Sequence, residues 1–126
     1  MVELLAGTTA MQDLLRQAGF TGVEAVDGVI YARLWSSSVE FTLRTEGMGW
    51  CLAVQWPVRA TQAQMAQWNA RQPHAPMDIF LGETRVTMRL TEGDAQALHL
   101  WAAVAEEMVA QCIRWRRAQR APGEGM

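Results

Sequence analysis

Residues 94–120 read DAQALHLWAAVAEEMVAQCIRWRRAQR and carry the longest unbroken periodicity in the chain. Leu98, Trp101, Val104 or Ala105, Met108, Cys112 and Trp115 recur at steps of three and four, which gathers them into one stripe along a helix. Gln96, His99, Glu106, Gln111 and Arg114 fall largely off that stripe. Asp94, behind Gly93, is suited to cap the start, and Arg114, Arg116, Arg117 and Arg120 collect where the helix dipole favours cations. A helix of this length runs roughly 39 Å at about 1.5 Å per residue, enough to cross a small sheet. Its apolar stripe requires a cover, and the rest of the chain has to supply it.

The preceding residues read as short strands joined by tight turns. Asp27-Gly28 marks a turn before a strand at Val29–Trp35, apolar on both faces. After Ser36–Ser38, residues Val39–Thr45 alternate, with Val39, Phe41 and Leu43 on one side and Glu40, Thr42 and Arg44 on the other. Glu46–Gly49 turns the chain into a third strand, Trp50–Trp56, which Pro57 ends because it has no N–H for the ladder. Met77–Leu81 and Thr84–Leu90 form a hairpin in which Gly82-Glu83 suits a type II′ turn. Two further helices are expected. One is short and amphipathic, with Thr8 and Thr9 before Met11, Leu14, Leu15 and Ala18, and ends at Gly19. The other is capped by Thr61, carries Met65, Trp68 and Asn69, and is closed off by Pro73 and Pro76.

The order helix, three strands, helix, two strands, helix predicts an α+β two-layer sandwich. Its five-stranded antiparallel sheet has all helices on one face. At 126 residues the chain fits a single domain over 1–126, with Ala121–Met126 expected to fray.

A net charge of −2 argues against a general nucleic-acid or anionic-membrane binder. No window approaches the apolar length of a membrane span, and Leu4-Leu5-Ala6 is too short for a signal peptide's apolar core. Cys51 and Cys112 lack any Cys-x-x-Cys partner and sit in apolar patterns, which predicts free thiols in a reducing, cytoplasmic setting.

Catalytic chemistry finds little purchase. His74 lies between prolines, while His99, Glu106 and Cys112 stand about 10 and 20 Å apart along one helix, too far for a nucleophile and its base. Metal-ligand spacing and a phosphate-binding glycine loop are both missing from the sequence. No catalytic residue, cofactor or metal is therefore expected.

Exposed aromatics are the better lead. If Ile30, Ala32 and Leu34 face the helices, Tyr31 and Trp35 turn outward, and by the same alternation Phe80 joins them beside Cys51 and Ala53. Such a patch predicts a homodimer or recruitment of another protein. Trp68 and Asn69 admit two roles, packing the second helix down or anchoring a partner at the surface.

The element order and two local stretches resemble the YbjN family, whose domains share the fold of type III secretion chaperones. Ala66-Gln67-Trp68-Asn69 followed by the Met77–Leu90 hairpin matches a family phrase at Trp68 and Asn69, with Ala66 where asparagine is common. Leu14, Gly19, Phe20 and Gly28 match its opening helix and first strand. The resemblance implies a sheet order 1-2-3-5-4 and a non-enzymatic bacterial regulator of sensory transduction, or a chaperone-like protein binder. The alternative is a small-ligand sensor or enzyme with its pocket between the sheet and the helices.

Overall fold

A computed structural model describes residues 2–35, 37–91 and 95–124. The chain runs α1 (Val2–Gln17), β1 (Thr21–Val26), β2 (Val29–Arg33), β3 (Glu40–Glu46), β4 (Gly49–Trp56), α2 (Gln62–Arg71), β5 (Met77–Phe80), β6 (Glu83–Leu90) and α3 (Ala95–Glu124). The α+β class holds, with three helices and an open antiparallel sheet.

The sheet has six strands in the order β1-β2-β3-β4-β6-β5, not five. The expected order survives among β2 to β6, and the extra strand β1 lies on the outer edge of β2. Thr21–Val26 alternates weakly, contains Gly22 and is exposed along most of its length, as suits an edge strand. Asp27 and Gly28 both take positive φ, forming a two-residue hairpin turn that closes Val26 against Val29. The β5–β6 turn is likewise Leu81-Gly82, both at positive φ, so it has the I′ character and sits one residue earlier than the expected Gly82-Glu83.

Inward residues of the central strands are Ile30 and Ala32, Phe41 and Leu43, Leu52 and Val54, then Val86, Met88 and Leu90. They meet Leu98, Trp101, Ala105, Met108 and Cys112 from α3, all in one core cluster. The α3 stripe read from sequence is therefore the face that is buried. At full burial a Leu or Trp contributes on the order of 2 kcal/mol or more, so this one stripe is a major part of the fold's stability.

α1 begins at Val2, earlier than Thr8 and Thr9 suggested, and buries Met11 and Leu15. It ends as expected at Gly19, where φ is 98° and the N–H groups of Gly19 and Phe20 return to the carbonyls of Arg16 and Leu15. α2 is capped by Thr61 in a reciprocal box with Gln64, at 3.1 and 2.8 Å. α3 continues to Glu124, past the start of the tail expected to fray. Gly125 and Met126, and the proposed cap Asp94, lie outside the described residues.

At the start of β4, a Cβ on Gly49 would run into the carbonyl of Leu90, so only glycine lets β4 pass so close to the end of β6.

Candidate functional site

Cross-strand pairing fixes the outer sheet face. Tyr31 lies opposite Thr42, Thr42 opposite Ala53, and Ala53 opposite Thr87, making a half-buried row of small and polar side chains around one tyrosine. A second row carries Arg44, Cys51 and Arg89. Phe80 does turn outward, but the Arg85 guanidinium lies 4.2 Å from its ring centroid and is fixed there by two bonds to Asp78, at 3.0 and 2.6 Å.

Trp35 is not on this face. β2 ends at Arg33; Leu34 still turns inward and donates its N–H to the Val39 carbonyl at 3.0 Å, and the alternation fails at Trp35. The Trp35 indole packs on the helical side, 4.7 Å from the Phe20 ring and 5.2 Å from His99 on α3, while remaining 45% exposed. The apolar outer patch from which self-association was argued is therefore not assembled as expected: Trp35 has left it, and Phe80, still 40% exposed, carries the Arg85 guanidinium against its ring.

Trp68 and Asn69 take the packing role and correct the idea of a surface anchor. Trp68 is 0% exposed and donates its indole N–H to the carbonyl of Ala75 at 2.7 Å. Asn69 accepts from the Met77 N–H at 2.7 Å and donates to the Met77 carbonyl at 3.3 Å. Glu107 on α3 completes the fastening, pairing with Arg71 at 3.0 Å and Gln72 at 3.1 Å. The α2–β5 loop, residues 72–76, is thus tied to both its flanking elements.

That loop forms one wall of a groove of about 630 Å³. Pro73, His74 and Pro76 face Met88 and Leu90 of β6 and Ala97 and Leu100 of α3, while Glu46, Cys51, Thr87 and Arg89 continue the lining around to the outer face. The groove therefore wraps around the edge of the sheet, unlike the expected pocket between sheet and helices. Leu100 stands 61% exposed at its rim. Two signals in the sequence point here in retrospect: Leu100 is a large apolar residue off the α3 stripe, and Pro73 and Pro76 stop β5 from running the full length of β6.

Both thiols are pushed up from the ordinary thiol value. Burial first, then the carboxylate of Glu46, pushes the Cys51 thiol up, against weaker lowering by Arg85 and Arg44. Cys112, buried in the core, is pushed up to about 11 by burial alone. Among the described residues no three His, Cys, Asp or Glu side chains cluster as metal ligands, and no helix is long and apolar enough to cross a membrane.

Comparison with protein-family models, curated proteins and solved structures finds no match, so the YbjN resemblance gains no support from them.

Proposed function

We propose that this chain is a non-enzymatic binding module that takes a segment of another protein into the groove at the end of β6. The observation that carries the reading is Leu100, a large apolar side chain left 61% exposed beside Met88, Leu90, Ala97, Pro73 and Pro76. An apolar rim of this kind gains free energy when a partner covers it. The loop opposite is held by Trp68, Asn69 and Glu107, so little conformational freedom is lost on binding. The raised thiol of Cys51 argues against its use as a nucleophile in the groove. Protein binding is also what the YbjN resemblance implies, and a reducing cytoplasm fits two free cysteines.

Selection from a random peptide display library tests the reading. Selected peptides should bind the unmodified protein and lose binding to Leu100→Glu, while Phe80→Glu, on the outer face, binds as before. Loss with Phe80→Glu and retention with Leu100→Glu would move the site to the sheet face.

A second reading rests on the polar end of the same groove, where Glu46, His74 and Arg89 come together with Cys51. A small zwitterionic ligand suits that set. Thermal stabilisation by a metabolite library, abolished by Arg89→Ala and not by Leu100→Glu, would favour it.

A further inference from the structure

β5 covers only the first part of β6. Met77 pairs with Val86, and the Thr87 N–H still donates to the Pro76 carbonyl at 3.2 Å. Continuing that register, the residue opposite Arg89 would be His74. It is not there as a strand residue, because the chain turns away between Pro73 and Pro76, with the Ala75 N–H donating to the Gln72 carbonyl at 3.1 Å.

In an antiparallel ladder successive residues point their main-chain groups to opposite sides. Thr87 points toward β5, so Arg89, two residues on, presents both its N–H and its C=O to the open side. That open side is the groove. The other edge of the sheet is blunted: β1 is irregular between Thr21 and Glu24, and Arg16 donates to the Val23 carbonyl at 3.3 Å.

We infer that the groove's occupant, if it holds protein as argued above, is an extended segment that adds to the free end of β6 along the line of β5. It places an acidic residue opposite Arg89 and apolar residues on either side of it. The side-chain alternation of a strand sets this pattern. A residue directly opposite Arg89 shares the outer face, where Arg44 and Arg89 flank Cys51 and Glu46 is the nearby carboxylate, 3.3 Å from Arg89. That ion pair is solvent-exposed, so it holds Arg89 weakly and leaves it able to meet a second acid. The neighbours on either side turn inward onto Met88, Leu90, Ala97 and Leu100.

A second copy of this chain fits less well. Two-fold pairing of β6 with itself centred on this position would set Arg89 against the partner's Arg89, and like charges directly opposite are destabilising.

The test uses fluorescence polarisation with labelled peptides of about eight residues containing Val-Asp-Val, Val-Lys-Val, or Val-Asp-Val methylated on the aspartate amide nitrogen. The inference expects Val-Asp-Val to bind roughly five- to ten-fold tighter than Val-Lys-Val. Arg89→Ala should bring the two together without abolishing binding, and the methylated peptide should fail to bind. Equal affinity for the acidic and basic peptides, or unimpaired binding of the methylated one, overturns the inference. If both plain peptides bind equally and both are lost in Leu100→Glu, the groove remains a protein site and only strand addition with acidic selectivity is wrong. If no peptide binds and display selection also yields none, the binding reading falls as well. Sedimentation of the unmodified protein as a dimer that Leu100→Glu dissociates would replace the peptide by a second copy.

Discussion

Asn69 holds Met77 by two hydrogen bonds, one to each of its main-chain polar groups. The side chain thereby acts as one rung of a sheet, fixing where β5 starts and how far β6 is left uncovered. Asn69→Ala leaves a part-buried N–H and C=O without partners and should cost about 1–3 kcal/mol. Chemical denaturation will show the loss, and peptide affinity should fall too as the loop wall loosens. An unchanged midpoint would mean that solvent or another side chain satisfies Met77.

Trp101 lies at the centre of the core, 0% exposed, with its ring 5.8 Å from that of Phe41. Trp101→Ala should cost roughly 3–5 kcal/mol through lost burial and the cavity left behind. Its Nε1 finds no hydrogen-bond partner among the described residues. Trp101→Phe removes that orphan donor along with part of the volume, and should therefore cost clearly less than Trp101→Ala in the same denaturant series.

The alkaline limb of the stability curve reports on Cys112. Its thiol is pushed up from 9.0 to about 11 by burial, so the folded chain holds this proton more tightly than the unfolded one. The resulting stability is fully present below about pH 9 and is lost as the pH rises through about 11, amounting to roughly 3 kcal/mol at most. Thermal melts of the parent and Cys112→Ala between pH 8 and 11 should converge with rising pH. Parallel curves would contradict the shift.

Trp35 packs between Phe20 and His99 while nearly half exposed. Trp35→Ala should lower stability by about 1–2 kcal/mol, by loss of partial burial and ring contacts. It should leave peptide binding in the groove unchanged. A peptide affinity that drops in this variant would place the binding surface on the α1 side of α3 instead.

The last helix, the three-strand meander β2–β4 and the β5–β6 hairpin were legible because each has a periodicity that matches a buried face. Leu98, Trp101, Met108 and Cys112 needed no tertiary information to be grouped. β1 was missed although Val26-Asp27-Gly28-Val29 is itself a hairpin signal, because Thr21, Gly22 and Glu24 do not look like a strand unless an edge strand is expected. Trp35 was misplaced because alternation was carried past Leu34, the last residue of this segment bonded to the β3 side. Trp68 and Asn69 stood out in the sequence, yet their packing role depends on carbonyls seven and eight residues on, which periodicity cannot reveal. The groove was hidden for the same reason. It exists because β5 is shorter than β6 and the intervening loop turns aside, and that is a property of pairing more than of composition.

In the proposed function, the free end of β6, with its neighbours on α3, is where this protein meets another chain. Titration of the ¹⁵N-labelled protein with the Val-Asp-Val peptide, followed by amide chemical shifts, tests it residue by residue. Shifts should cluster at His74, Met88, Arg89, Leu90, Ala97 and Leu100, with the Arg89 amide moving as it gains a hydrogen bond. Shifts centred instead on Tyr31, Thr42 and Ala53, or spread evenly over the surface, would contradict it.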